Sequence, residues 1–312
     1  MSFIRRLHRV VRLDILGAVT CGILLFSIGL GGRRPEQQNI AFRHALLQER
    51  MQSQTVIVKT DHGEGSGVVV KRGDKTFVWT AGHVVKGVSE VKVGQVYRYH
   101  GKQAGSQTIP AHVIARLENT DAALLWVDAP PDKLTGAEWA TETPGPGEKV
   151  WHCGNLLGAN FDGSISEGVV SQVGVRPTAE LGDWPWGVVD DCTVNAMPGS
   201  SGGPVFNSAG EVVGLVVGGV PGIPCYVPMR EIFHGAIAQK IAWAVYGRGC
   251  PTDQQLQQAA ADATMPDGLS GLLKIILGGV PAPVPETPAP APEQPTKVAP
   301  KKAPKVVSPK SR

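Results

Sequence analysis

Eleven short runs of apolar and β-branched residues, cut apart by Gly, Asp and Lys turns, restrict this chain to a mostly β fold. A first set falls at residues 55–58, 67–70, 76–79, 91–93 and 122–127, and a second at 149–151, 168–173, 187–189, 203–206, 212–217 and 225–227. Runs this short cannot bury a face singly, so two β units, each closing its own edges, are the simplest architecture. The 39 glycines and an aromatic content of 6% suit short strands joined by tight turns.

Outside this region the pattern changes. Ile15 to Gly31 is a run of 17 uncharged residues, preceded by Arg5, Arg6, Arg9 and Arg12 and followed by Arg33 and Arg34. A basic first segment (1–14) and a membrane-directed segment (15–32) are therefore expected. The length sits between a cleavable signal and a spanning helix, and an uncleaved anchor is the preferred reading. Four Arg on each side leave the orientation undecided. The default for a first segment exports the chain beyond it, making the protein membrane-bound through residues 15–31, or secreted. Residues 33–51 read as a helical connector, because Ile40, Phe42, Ala45, Leu46, Leu47 and Met51 recur at near-helical spacing. A closing helix is expected over 230–247 and a helical extension over 248–280. From 281 to 312 the chain is Pro, Ala and Lys with little to bury, and is expected to be disordered.

Charge is divided in the same way. The first 50 residues carry +5 and the last 32 carry +4, which leaves the middle at −6. A folded acidic middle argues against nucleic-acid binding, whose affinity comes from neutralising phosphates. None of the five cysteines, Cys21, Cys153, Cys192, Cys225 and Cys250, forms a CxxC pair, so structural zinc is not expected. With Cys21 in the apolar run, the other four are either a disulfide framework or buried thiols.

Candidate chemistry centres on Pro198-Gly199-Ser200-Ser201-Gly202-Gly203-Pro204. A nucleophilic serine needs a turn that exposes its hydroxyl while backbone N–H groups converge on the oxygen of the attacked carbonyl, and flanking glycines allow such a backbone. Upstream, His83 follows an apolar run in Thr80-Ala81-Gly82-His83-Val84-Val85. Asp121 opens another in Thr120-Asp121-Ala122-Ala123-Leu124-Leu125. An acid there can accept from one ring nitrogen of His83 and let the other take a proton. His62, His112 and His152 lack such a setting and read as solvated or structural. Asp128 and Asp132 do not open a run, so Asp121 is preferred over both.

The order His, Asp, Ser and the motifs around each residue resemble the trypsin-like serine peptidases, and within them the HtrA/Deg-like branch. Gly65-Ser66-Gly67-Val68-Val69, Ser166-Glu167-Gly168-Val169-Val170-Ser171, Gly210-Glu211-Val212-Val213-Gly214 and Tyr226-Val227-Pro228 extend the resemblance over about residues 52–235. It implies two six-stranded antiparallel β-barrels over 52–247, one at about 52–130 and one at about 143–229, with the site in the cleft between them. It also implies peptide-bond hydrolysis in a polypeptide substrate, with Ser201 as nucleophile, His83 as base, Asp121 as its orienting acid, and an oxyanion hole from the N–H groups of Gly199 and Ser201. No metal or organic cofactor is required. The primary pocket is expected near Val194 and Asn195 and along Val216, Val217 and Gly218. No acid stands at its base, so a neutral, small to medium apolar side chain is the expected preference. Cys192 and Cys225 flank the pocket, where a bridge between them is a further expectation.

The chain departs from that branch in two respects. Ser200 stands where such members often have Asn, a change expected to be tolerated because the backbone does the work there. No PDZ-like domain is expected after residue 250, so the branch's regulated assemblies do not carry over and no oligomeric state is implied. Competing readings are an inactive, membrane-anchored peptide-binding protein on the same barrels and the protease segment of a viral-type polyprotein.

Overall fold

The computed structural model describes residues 35–263 apart from 100–101, 118, 131, 158–160, 177–186, 221 and 248. The segment 15–31 and the stretch 264–312 lie outside the described residues. Among those described, no helix is long and apolar enough to cross a membrane.

Helix α1 (Pro35–Gln54) leads into twelve strands: β1 (Thr55–Thr60), β2 (Gly63–Arg72), β3 (Lys75–Thr80), β4 (Glu90–Tyr99), β5 (Lys102–Arg116), β6 (Ala123–Val127), β7 (Lys149–Leu156), β8 (Phe161–Val175), β9 (Val189–Cys192), β10 (Pro204–Phe206), β11 (Val212–Val220) and β12 (Ile223–Pro228). They close as two antiparallel barrels, in the orders β1-β2-β3-β6-β5-β4 and β10-β11-β12-β9-β8-β7. Closure removes the unpaired edges that short strands would otherwise expose. Helices α2 (Met229–Ala238), α3 (Trp243–Tyr246) and α4 (Asp253–Asp262) come after the last strand.

The first barrel has two apolar faces, not one. Val58, Val69, Val78, Val93, Ala111, Val113 and Leu125 fill its interior. Val68, Val70, Phe77, Trp79, Leu124 and Trp126, at the alternate positions of β2, β3 and β6, face outward into a second core shared with the other barrel and the C-terminal helices. Successive side chains of a strand point to opposite faces, so a strand buried on both must be apolar throughout. That is why these three strands stand out as continuous apolar runs.

The fifth strand of this barrel matches none of the eleven apolar runs. In β5 only Ile109, Ala111 and Val113 supply the inward stripe across its central residues, while Pro110 between them pairs with Lys92 on the outer face. A proline has no N–H for the ladder and normally counts against a strand, which hid the element in the sequence.

The bridge expected between Cys192 and Cys225 is not formed, and both are buried free thiols. Strand register gives the reason, since Cys225 sits opposite Asp191 in the β9–β12 pair and Cys192 is one residue out of step. The Cys192 thiol is directed at the Pro224 carbonyl at 3.7 Å and the Cys225 thiol at that of Ile223 at 4.0 Å. Burial pushes each up to about 12, far from a thiolate at neutral pH.

Arg72, at the end of β2, ties the C-terminal helices to the first barrel. Its buried guanidinium donates from Nε to the Ala244 carbonyl at 3.0 Å and from Nη2 to that of Val245 at 2.9 Å. These carbonyls belong to the last turn of α3, where acceptors have no partner within the helix and a cation is favoured. Arg72→Met removes both bonds and leaves the carbonyls buried. The expected cost is about 2–3 kcal/mol, from the usual strength of charged hydrogen bonds, read as a lower urea midpoint at unchanged m-value.

Candidate active site

Two neighbouring strands of the first barrel place His83 and Asp121 side by side. Strand β3 ends at Thr80, which pairs with Ala123 at the start of β6. The residues just after β3 and those just before β6 therefore emerge at the same rim. A 3-10 turn, Gly82–Val85, carries His83 back over that rim. The Asp121 carboxylate then accepts two hydrogen bonds from the same residue, the His83 backbone N–H to Oδ1 at 2.7 Å and ring Nδ1 to Oδ2 at 2.5 Å. A carboxylate can only accept, so Nδ1 carries the proton and Nε2 of the neutral ring keeps its lone pair. The Asp121 side chain is 1% exposed and that of His83 is 32% exposed, so a sheltered acid orients a ring that solvent can reach.

Ser201 comes from the second barrel, in the turn that enters β10. The turn is pressed against β2. The Ser66 N–H donates to the Ser201 carbonyl at 2.7 Å. A Cβ on Gly65 would come within 2.7 Å of Val84, next to His83, and within 2.9 Å of the Ser201 carbonyl. Gly202, at φ +83°, packs so closely that a Cβ would lie 2.3 Å from both the Ser66 carbonyl and the Thr80 hydroxyl. No other residue fits there. Ser201 is thus brought to the rim that holds His83.

Most amides of this turn are engaged by nearby carbonyls. Ser200 N–H donates to the Met197 carbonyl at 2.8 Å, Gly202 N–H to that of Val216 at 2.6 Å, and Gly203 N–H to that of Ser200 at 2.8 Å. Pro198 has no N–H. The amides of Gly199 and Ser201 remain without a hydrogen-bond partner among the described residues. Two such donors two residues apart, beside a serine hydroxyl, can receive an oxygen that gains negative charge.

Several supports of this turn went unnoticed in the sequence. The Leu157 N–H donates to the Pro198 carbonyl at 2.7 Å. Leu157 does so from φ +55°, a left-handed conformation costing a non-glycine residue about 1–2 kcal/mol. The Ser66 hydroxyl donates to the Gly199 carbonyl at 2.7 Å. A serine between two glycines within a strand signals close backbone approach, and that was the available clue. The Ser200 hydroxyl accepts the Met197 N–H at 3.1 Å, so the serine in place of Asn braces the turn with its side chain.

The expected pocket residues divide in two. Val194, Val216 and Val217 are 2–3% exposed, with their side chains in the core. Asn195 is exposed, Gly218 is half-buried, and Met197 is 43% exposed. The main chain of Val216 is engaged by Gly202 and Gly203. Beyond it Val217 is a bulge in the β11–β12 ladder, and the edge of β11 that faced β10 has no described strand beside it. Among the described residues, no group of three or more His, Cys, Asp or Glu side chains is placed to hold a metal.

The family model described as a trypsin-like peptidase domain matches residues 65–215, the stretch of the double barrel that holds His83, Asp121 and Ser201. The chain is similar to the serine protease Do-like HtrB of Bacillus subtilis, at 31% identity over 48% of this chain and 31% of that protein. It is similar also to the serine protease Do-like HtrA of Lactobacillus helveticus, at 30% identity over 49% of this chain and 35% of that protein. The chain thus spans about a third of the length of these curated relatives. Among solved structures, the Rv3671c protease in its inactive form aligns at a TM-score of 0.51 and 22% identity, over 62% of this chain and 91% of that one. Another crystal structure names M. tuberculosis H37Rv as the source of Rv3671c. At that identity the likeness speaks for the fold.

Beneath the turn lies a second histidine of a different kind. His152 is fully buried; its Nδ1–H donates to the Pro204 carbonyl at 3.1 Å and its Nε2 has no partner. Burial pushes its pKa down to about 4. The folded protein keeps it neutral while the unfolded chain takes up a proton below about pH 6.5. Its contribution to stability is complete above that pH and is lost as the pH falls from 6.5 toward 4. Between pH 7 and pH 4.5 this amounts to about 2–3 kcal/mol. His152→Asn cannot gain that proton, so its urea midpoint should fall less between the two pH values than that of the wild type.

Proposed function

We propose that this chain is a serine endopeptidase that cuts polypeptides through His83, Asp121 and Ser201. The observation that carries the reading is the pair of hydrogen bonds from His83 to the Asp121 carboxylate, which makes Nε2 the basic nitrogen of a ring beside the serine turn. In the proposed reaction Ser201 Oγ attacks the scissile carbonyl carbon as its proton passes to His83 Nε2. The carbonyl oxygen takes the negative charge and is met by the N–H groups of Gly199 and Ser201. Collapse of the tetrahedral species breaks the C–N bond, and His83 returns the proton to the leaving amine. A water molecule then attacks the acyl-enzyme, giving its proton to His83 and releasing the acid and Ser201.

The unpaired edge of β11 beyond Val216 suits an extended peptide, which would pair with main-chain groups of Val217 to Gly219. Asn195 and Gly218 flank the place of the first side chain before the cut. A neutral, small to medium residue is proposed there. The proposed address is a membrane or the extracytoplasmic side of one. It is supported by the uncharged run 15–31 between arginine clusters.

A fluorophosphonate probe tests the enzyme reading directly. Wild-type protein should be labelled and should degrade casein, while Ser201→Ala and His83→Ala should do neither at a measurable rate. Asp121→Asn holds the ring in the wrong tautomer and should slow labelling by about 10³–10⁴-fold. Folded wild type that neither reacts with the probe nor cuts casein would favour the inactive peptide-binding protein instead.

A further inference from the structure

We propose that Ser66, outside the reacting groups, is a positioning residue that holds the oxyanion hole open. The inference rests on the peptidase reading and names a residue on which that chemistry depends.

Ser66 is fully buried in β2 and makes four hydrogen bonds at one point. Its N–H donates to the Ser201 carbonyl at 2.7 Å and its hydroxyl to the Gly199 carbonyl at 2.7 Å. Its own carbonyl accepts the Thr80 hydroxyl at 2.7 Å, and its Oγ accepts the Asn155 N–H at 2.8 Å. The bond to Gly199 is the consequential one. Gly199 sits at φ +94°, in a region where glycine rotates readily. Free rotation about Gly199 would let the Pro198–Gly199 peptide flip, which swings a carbonyl into the hole in place of an N–H. A carbonyl oxygen there would repel a developing oxyanion.

Anchors on both sides of Gly199 prevent the flip. The Pro198 carbonyl is held by the Leu157 N–H and the Gly199 carbonyl by the Ser66 hydroxyl, both at 2.7 Å. A carbonyl and an N–H on one peptide point in opposite directions, so the first anchor aims the Gly199 N–H away from Leu157. The second anchor fixes the next peptide. Ser66 also restrains the Ser201 carbonyl, so one residue holds the main chain before and after the Ser201 N–H.

The hydroxyl is well chosen for the task. A donor with two acceptor sites can give its proton to Gly199 and still receive the Asn155 amide. Asn155 is 1% exposed, so its N–H depends on that acceptor. Space around the hydroxyl is set by Gly154, whose added Cβ would come within 3.3 Å of Ser66 Oγ and 2.7 Å of His152 Nε2.

Saturation kinetics with a fluorophosphonate probe on the full chain separate positioning from bulk structure. In Ser66→Ala the maximal rate of phosphonylation should fall about 100-fold, the scale of losing one oxyanion donor. The probe's half-saturating concentration should stay within about twofold, and the fraction of protein finally labelled should stay near that of the wild type. Ser66→Cys, which keeps a weak donor of similar shape, should recover part of the rate. A merely structural role would lower the labelled fraction and the melting temperature at an unchanged maximal rate. That result, or a Ser66→Ala rate within about threefold of wild type, overturns the proposal. Should Ser66→Ala fail to fold, Ser66→Cys decides alone, since a wild-type rate in it overturns the proposal and a reduced rate at full labelling supports it. Wild type that does not react at all refutes the peptidase reading and is a separate outcome.

Discussion

Strand β2 is buried on both of its faces, and the arrangement of the molecule depends on that constraint. Val69 looks into the first barrel while Val68 and Val70 look into the shared core. Close packing holds the strand in place, since a Cβ on Gly67 would lie 2.5 Å from a Val78 methyl and one on Gly65 2.7 Å from Val84. With its register fixed, its ends are fixed too. Ser66 near one end meets the nucleophile turn, and Arg72 at the other meets the carbonyl end of α3. The strand thus links barrel packing, the serine turn and the C-terminal helices.

The fold was legible where burial was two-sided or the motif was local. Continuous apolar runs revealed β2, β3 and β6, and the order of the His, Asp and Ser motifs, through their family resemblance, implied two six-stranded barrels. Strand β5 stayed hidden because the barrel asks of it only a sparse inward stripe, interrupted by Pro110. The pairing expected for Cys192 and Cys225 failed for a similar reason, since closeness in space does not reveal which residue faces which across a ladder. At the site, residue types that carry chemistry announced themselves, whereas Ser66 and Leu157 act through the main chain of others. Their contribution lies in direction and distance, which composition does not record.

Two histidines show how the same side chain serves opposite ends. His83 is a third exposed and fixed by a carboxylate, so its second nitrogen is presented at a rim. His152 is sealed under the turn, next to backbone and glycine, and its burial keeps it neutral. In the proposed reaction the first exchanges protons, while burial keeps the second from taking one.

The clamp between Ser66 and the serine turn also assigns Ser201 a mechanical home. By chain order Ser201 belongs to the second barrel, yet its carbonyl and that of Gly199 are pinned to a strand of the first. The proposed base and the backbone of the proposed nucleophile are therefore mounted on one frame. If the barrels rock against each other, the play falls on the connections behind the turn, and Ser201 keeps its place against the strand that leads to the His83 rim.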